Sequence, residues 1–133
     1  MPRLALEDLA RYPIITYDPA FTGRTHIDSA FATRELKPDI VLSAIDADVI
    51  KTYVELGMGV GIVATMAFDP KRDRSLRSLE AGHLFGTNTT RVAVRRGRLL
   101  RGYAFAFIEL FAPHLSRQVI EKALTGKGEI YEL

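Results

Sequence analysis

The sequence predicts an α/β fold in which a mostly parallel sheet is flanked by helices. Three short apolar runs, residues 14–17, 39–43 and 61–64, alternate with two segments of helical character. This alternation is typical of parallel sheets whose strands are joined by helical crossovers. The 133 residues, 47% hydrophobic and 26% charged, suffice for one domain with a hydrophobic core, which excludes a disordered or fibrous chain.

The first predicted elements are a helical turn, a strand and a helix. Leu6–Ala10 is typical of one helical turn that ends before Pro13, and Ile14–Tyr17 is a β-rich run. The turn signal Asp18-Pro19 closes this strand. A helix is then expected to extend to about Arg34, with apolar residues at helical spacing on one face: Ile27, Ala30 and Phe31.

The next predicted elements are a strand, a helix and a strand. Asp39–Ser43 is nearly all apolar, as in parallel strands covered on both faces. Asp46 occupies the N-cap position of a helix over Ala47–Leu56, and Gly57 is a natural residue to follow its end. Gly61–Ala64 is the third strand. The helix between the strands is expected to bury four residues: Val49, Ile50, Tyr53 and Val54.

The remainder of the chain has a different character, with charged turns after residue 68. Leu76–Leu79 and Thr90–Arg95 are further strand candidates. Leu99–Ala112 is predicted as an amphipathic helix, and Ser116 caps a last helix over Arg117–Leu124. The predicted apolar side of the first of these helices comprises Leu100, Tyr103, Ala104, Phe107, Ile108 and Phe111.

Composition excludes several classes of protein. The absence of cysteine rules out a disulfide framework, a CxxC zinc site and an iron–sulfur cluster. His26, His83 and His114 are far apart in the sequence, and no catalytic serine motif is present, so neither a metal site nor a hydrolase is expected. The longest uncharged apolar stretch, Leu56–Phe68, is shorter than the ~20 residues that a membrane span needs. We therefore expect a cytoplasmic protein without a membrane partner.

Two motifs have weak functional interpretations. The run Gly59–Ala64 matches the GxGxxA dinucleotide fingerprint, but that site needs a strand before the glycines and a helix after them. Here a helix comes first, so a helix end with close backbone packing is the better interpretation, and a nucleotide-dependent enzyme is disfavoured. Five arginines between Arg91 and Arg101 could contact phosphates. Without aromatic interleaving, they are better interpreted as a solvated surface or an interface with acidic groups.

The candidate binding residues lie at two strand-to-helix junctions. At Phe21-Thr22-Gly23-Arg24, free backbone N–H groups and the Thr22 hydroxyl could hold a small anion, although spacing alone favours a plain Thr22 N-cap. Asp46 follows the second strand and could bind a ligand amine, with an N-cap role as the alternative. Ligands in open α/β sheets lie beyond the carboxyl ends of strands, so both junctions are expected to face one crevice.

Several of these segments carry a family resemblance over nearly the whole chain. The segments are Tyr12–Tyr17, Phe21–Arg24, Asp46–Val54, Leu56–Ala64 and Phe111–Leu115. They closely resemble the CysB group of LysR-type transcription regulators. The resemblance implies an effector domain of two subdomains like a type 2 periplasmic binding protein, with a small inducer in the cleft between them. It also implies sulfate, thiosulfate, O-acetylserine or N-acetylserine as the ligand, and target genes for sulfur uptake and cysteine synthesis.

The resemblance assigns parts and roles within this chain. Residues 1–86 correspond to the second subdomain, and residues 87–133 to a return strand and C-terminal helices that would complete the first. Among the site residues, the resemblance assigns Thr22, which matches the family's threonine that contacts the anion. The strand-to-helix junctions add an N–H group from Gly23, and Phe21 and Asp46 complete the expected ligand contacts. No enzymatic activity, cofactor or metal is implied, and DNA binding would need a helix-turn-helix that these residues do not include.

The resemblance also has consequences for assembly. An unpaired return strand and a bare apolar helix face favour association, so we expect a homo-oligomer. The alternative function is a stand-alone binding module for a small anion or an amino acid, with no DNA binding of its own.

Overall fold

A computed structural model of the chain describes residues 3–87, 91–95, 97 and 99–125. Internal contacts divide the chain into two compact units, Met1–Asn88 and Thr89–Leu133. This division lies close to the predicted boundary between residues 86 and 87. The assignment of the two parts to the subdomains of a regulator stays a prediction.

The first unit is built on a three-stranded sheet in which every pairing is parallel. Its strands are β1 (Pro13–Tyr17), β2 (Asp39–Ala44) and β3 (Val60–Gly61), in the order β2-β1-β3. Val41 forms a bulge in β2, since Ile14 and Ile15 pair with Ile40 and Leu42. The helices of this unit are α1 (Leu6–Leu9), α2 (Thr22–Thr33), α3 (Ala47–Glu55) and α4 (Gly82–Phe85). The predicted α/β fold with a mostly parallel sheet is confirmed.

The core of the first unit forms around the central strand. Ile14 packs in a cluster with α1 and α2, whose buried members are Leu6, Leu9, Ile27 and Phe31. The predicted inner face of α2 is therefore confirmed. Ile15, also fully buried, alternates to the opposite face of the sheet. Burial of each large apolar side chain stabilises the fold by roughly 1.5–3 kcal/mol.

Helix α3 begins and ends as its sequence predicts. The Asp46 side chain accepts a 2.6 Å hydrogen bond from the amide of Asp48, and Gly57 follows the helix end with a φ of 80°. Ile50 is fully buried, whereas the predicted burial of Val49 is wrong, because that side chain is 41% exposed. Successive helix residues differ by ~100° in direction, so only one of these two neighbours faces the sheet.

The glycine run is explained by close packing, as the sequence indicated. A Cβ atom on Gly59 would overlap the carbonyl oxygen of Pro13. A Cβ on Gly61 would lie 2.9 Å from Val54 Cγ2 of α3. The glycines follow a helix and lead into β3 and a 3-10 turn at Thr65–Ala67, an order opposite to that of a dinucleotide site.

Several predicted strands are shorter or absent. β3 comprises two residues rather than the predicted 61–64. Leu76–Leu79 forms no strand, follows two turns and leaves Leu79 75% exposed. Arg91–Arg95 is also not a strand, and Thr90 lies outside the described residues. A strand forms only where a neighbouring strand accepts and donates its backbone hydrogen bonds, and an apolar run in the sequence does not identify that neighbour. The short helix α4 was not predicted.

The second unit contains helices α5 (Gly102–Phe111) and α6 (Arg117–Thr125). Ser116 caps α6 as predicted, because its Oγ accepts a 3.4 Å hydrogen bond from the amide of Val119. The predicted apolar side of α5 is wrong in part: Tyr103, Phe107 and Phe111 are exposed, although Ile108 is buried. The buried cluster comprises Phe105, Ile108, Ala112, Leu115 and Ile120. Because α5 is apolar on nearly all sides, its sequence does not determine which side is buried.

No helix within the described ranges has the length and hydropathy needed to cross a membrane.

Candidate functional site

The carboxyl ends of β1 and β2 bring the two predicted junctions together. β1 ends at Tyr17, which pairs with Ala44 at the end of β2. The amide of Asp18 donates a 2.9 Å hydrogen bond to the carbonyl of Ala44. The turn leading into α2 therefore lies beside the turn leading into α3, at the edge where open α/β sheets bind ligands.

The first turn of α2 has backbone N–H groups available for a ligand. Phe21 is the N-cap residue, and its side chain forms no capping hydrogen bond. The amide of Phe21 is bonded to Asp18, and the amide of Arg24 to the carbonyl of Phe21. Within the described part of the chain, the amides of Thr22 and Gly23 have no hydrogen-bond partner. Thr22 is thus the first helical residue, so its interpretation as a plain N-cap is wrong.

Arg24 is held on several sides at this helix start. Its Nε lies 2.8 Å from an oxygen of Asp28, and its Nη1 donates to the carbonyl of Tyr17 at 2.9 Å and to Ser43 Oγ at 3.0 Å. The Arg24 side chain is only 12% exposed. The guanidinium therefore joins α2 to the ends of β1 and β2.

Two side chains of β1 hold the segment that follows β3. The fully buried Thr16 donates a 2.9 Å hydrogen bond to the carbonyl of Ile62, and the Tyr17 hydroxyl accepts one of 3.0 Å from the amide of Ala64. The Tyr17 ring also lies against Phe21, with the ring centroids 6.4 Å apart. This network connects the Phe21 turn to the chain beyond β3.

Asp46 is exposed and acts as the predicted N-cap of α3. One carboxylate oxygen of Asp46 accepts a hydrogen bond from the amide of Asp48, and the other oxygen takes no part in this bond. Its role toward a ligand amine stays a prediction.

A partly buried ion pair was missed by the sequence analysis. Lys51 Nζ lies 3.1 Å from both carboxylate oxygens of Asp73 and 2.9 Å from the carbonyl of Ala67. The amide of Asp69 and the ammonium of Lys51 lower the pKa of Asp73, while the Asp73 and Asp48 carboxylates raise the pKa of Lys51. The contact joins α3 to the segment after β3. Its members are 22 residues apart, a distance at which no local pattern signals a pair.

A groove of about 410 Å³ is lined by residues of α1, α2 and α4 and by Arg34. Its polar lining includes Thr25, His26, Ser29 and His83, and none of the predicted ligand residues lines it. Among the described residues, no group of three potential metal ligands comes together.

Comparisons with known proteins identify the family. The family model described as "LysR substrate binding domain" matches residues 2–116. The chain is 62% identical over 130 residues to the HTH-type transcriptional regulator CysB of Burkholderia cenocepacia, covering 98% of this chain and 42% of that protein. It is also 62% identical over 117 residues to the regulator SsuR of the same organism, covering 88% of this chain and 38% of that protein. The chain thus spans less than half the length of these relatives.

A solved structure supports the same assignment. The crystal structure of the cofactor-binding domain of the Cbl transcriptional regulator matches with a TM-score of 0.81 and 40% identity, over 96% of this chain and 56% of that one. The sheet, the match of the family model and the likeness to these transcriptional regulators agree with one another. The chain therefore belongs to the family of LysR-type substrate-binding domains.

Proposed function

We propose that this chain is the effector-binding portion of a LysR-type transcription regulator of sulfur assimilation and cysteine synthesis. Its ligand is sulfate, thiosulfate, O-acetylserine or N-acetylserine, and Phe21, Thr22, Gly23 and Asp46 contact it. The likeness to regulators named CysB, SsuR and Cbl supports the sulfur-related role. The anion site is supported by the amides of Thr22 and Gly23 at the start of a 12-residue helix, which have no hydrogen-bond partner among the described residues.

The chemistry of this helix start suits an anion. The first N–H groups of a helix point out of its end, and the aligned peptide dipoles place about half a positive charge there. An anion is therefore bound without a full countercharge. Thr22 adds an exposed hydroxyl, and Phe21, which is 43% exposed, offers an apolar surface to an acetyl group. The free oxygen of Asp46 suits the ammonium group of O-acetylserine.

In the complete regulator, this site forms one wall of the effector cleft. A ligand that contacts both walls favours the arrangement of subdomains in which both sets of contacts are made. A change in the arrangement of the subdomains alters the relative placement of the DNA-binding domains of the regulator, which lie outside the residues of this chain. The proposal therefore assigns ligand binding, and no chemical reaction, to these residues.

A thermal-shift titration tests the proposal on the chain as it exists. Sulfate, thiosulfate, O-acetylserine and N-acetylserine are added at constant ionic strength to the wild type, to Thr22→Ala and to Thr25→Ala. A ligand at 100 times its Kd stabilises the folded state by about 2.7 kcal/mol, which raises Tm by several degrees. We expect a saturable rise in the wild type and in Thr25→Ala, but none in Thr22→Ala.

Two outcomes contradict parts of the proposal. An equal rise in Thr22→Ala would place the ligand elsewhere. No rise with any of the four compounds would contradict binding by this chain alone, and the same pair of variants would then be compared in the full-length regulator. NAD(H) serves as the negative control, because a nucleotide is not expected to bind at the glycine run.

A further inference from the structure

Arg24 occupies a position that its own charge makes unfavourable. It is the third residue of α2, in the first turn, where the helix dipole repels a cation. Its side chain is nevertheless only 12% exposed, and the guanidinium is held by the Asp28 carboxylate, the Tyr17 carbonyl and the Ser43 hydroxyl within 3.0 Å. These contacts offset the charge and the loss of water around it. Helix formation alone does not account for an arginine at this place.

The three contacts of Arg24 fix distances between separate elements. Asp28 lies one turn further along α2, Tyr17 ends β1, and Ser43 lies in β2. Only a planar group with donors in several directions can serve them together, since Nε faces Asp28 while Nη1 faces the two strands. The first turn of α2, which carries the amides of Thr22 and Gly23, is thereby fastened to both strand ends.

We infer that Arg24 is a positioning residue of the anion site: it holds the Thr22 and Gly23 amides in their binding orientation without contacting the ligand. The inference rests on the proposed function of that site. Because Asp28 neutralises its charge, Arg24 contributes geometry to the site rather than net positive charge. A lysine cannot replace it, since one ammonium group does not span contacts on three elements.

The test measures the two amides directly, before any ligand is added. Backbone NMR is recorded on the full 133-residue chain for the wild type, Arg24→Gln, Arg24→Lys and Ser43→Ala. The control is Arg34→Gln, since Arg34 pairs with Glu7 across the surface and is 62% exposed. We expect the order parameters of the Thr22 and Gly23 amides to fall in both Arg24 variants from about 0.85 to below about 0.6. Ser43→Ala, which removes one contact, gives a smaller fall, and Arg34→Gln gives none.

A sulfate titration followed at the same amides then separates this inference from the proposed function. We expect sulfate affinity to fall about tenfold in Arg24→Gln and Arg24→Lys, less in Ser43→Ala, and not at all in Arg34→Gln. The inference would be overturned if the order parameters of the Thr22 and Gly23 amides were unchanged in the Arg24 variants and in Ser43→Ala. It would also be overturned if Arg24→Gln bound sulfate with the affinity of the wild type. If the wild type shows no sulfate response while the Arg24 variants loosen these amides, sulfate binding by this chain alone is contradicted and the positioning role of Arg24 stands. Ser43→Ala keeps the test decisive if the Arg24 variants do not fold.

Discussion

The hydroxyl of Tyr17 accepts a hydrogen bond from the backbone amide of Ala64, a residue 47 positions further along the chain. This contact continues the connection between β1 and the chain after β3, where regular pairing ends at Gly61. The amide of Ile62 also donates to the carbonyl of Ile15 at 3.0 Å. Backbone and side-chain groups of β1 thus both hold the chain beyond the last regular strand pairing.

Removal of this hydroxyl is expected to loosen the segment after β3. Tyr17→Phe keeps the ring against Phe21 but leaves the amide of Ala64 without its partner. Such a hydrogen bond is worth about 0.5–1.5 kcal/mol, so Tm falls by a few degrees. Tyr12→Phe is the control, since Tyr12 is 55% exposed. Thermal denaturation and hydrogen exchange at Ala64 check the effect; equal Tm values and equal exchange in both variants would contradict it.

Two glycines of the first unit are expected to respond oppositely to replacement by alanine. In Gly61→Ala the new methyl group lies 2.9 Å from Val54 Cγ2 and 3.2 Å from Ile50 Cγ2, so these side chains or α3 itself must shift. Overpacking of this kind costs about 1–3 kcal/mol. In Gly23→Ala the methyl group meets Tyr17 Cδ2 at an ordinary 3.7 Å. Alanine in a helix is favoured over glycine by roughly 0.5–1 kcal/mol, so this variant becomes more stable.

Urea denaturation of both alanine variants measures the free energy of unfolding. Stabilisation of the chain by Gly61→Ala would contradict the close approach of α3 to β3. Destabilisation by Gly23→Ala would contradict the placement of Gly23 inside the first turn of α2.

The partly buried pair of Lys51 and Asp73 predicts how stability depends on pH. The pKa of Asp73 is lowered below its usual value of 3.8 by the Asp69 amide and the Lys51 ammonium. Its contribution to stability is therefore complete above pH 3.8 and is lost as the pH falls through the lower pKa of the folded state. The raised pKa of Lys51 has the opposite consequence, because its contribution is complete below pH 10.5 and is lost as the pH rises through the folded value.

Thermal denaturation from neutral to acid pH checks this expectation with two carboxylate variants. Asp73→Asn should lower Tm at pH 7 by several degrees and flatten the decline of Tm at acid pH. Asp48→Asn is the matched control, since Asp48 contacts the same ammonium but is 79% exposed. An exposed partner contributes little. Equal pH profiles for the wild type and Asp73→Asn would show that the pair of Lys51 and Asp73 does not contribute to stability.

The exposed side of α5 is expected to bring copies of the chain together. Phe107 is 68% exposed and Leu110 is 85% exposed, next to Tyr103, which is 72% exposed. Apolar surface of this kind favours association. Light scattering after size-exclusion chromatography should give a mass above that of one chain, and the double variant Phe107→Glu/Leu110→Lys should elute as a monomer. A monomeric wild type would contradict the expected homo-oligomer.

The parts of the fold that depend on local sequence were predictable. Residues 14–17 and 39–43 form strands as expected, since apolar β-branched runs bounded by turn residues carry a local signal. The ends of helix α3 were predictable from Asp46 at its start and Gly57 after its end, because a capping side chain and a glycine with positive φ both act within a few residues.

The parts that depend on distant partners were not predictable. Thr90–Arg95 has the composition of a strand, yet residues 91–95 form none, since composition does not supply a neighbouring strand. At the candidate site, Thr22 and Gly23 were identified from the junction, whereas the connecting roles of Tyr17, Arg24 and Ser43 arise from contacts across the fold. The sequence signal for such a role was Arg24 itself, because a cation in the first turn of a helix is unfavourable unless other contacts hold it.

The central position of β1 governs the order in which the sheet can assemble. β1 is the earliest of the three strands in the sequence, and both of its neighbours follow it. During synthesis β2 can therefore pair with β1 only after residue 44 has emerged, and β3 only after residue 61, so an interval separates the emergence of β1 from that of its second neighbour. At roughly 5–20 residues per second, this interval lasts a few seconds. Until then, the edges of β1 and the side chains of Ile14 and Ile15 lack the partners that they have in the folded chain, and uncovered edges of this kind favour aggregation.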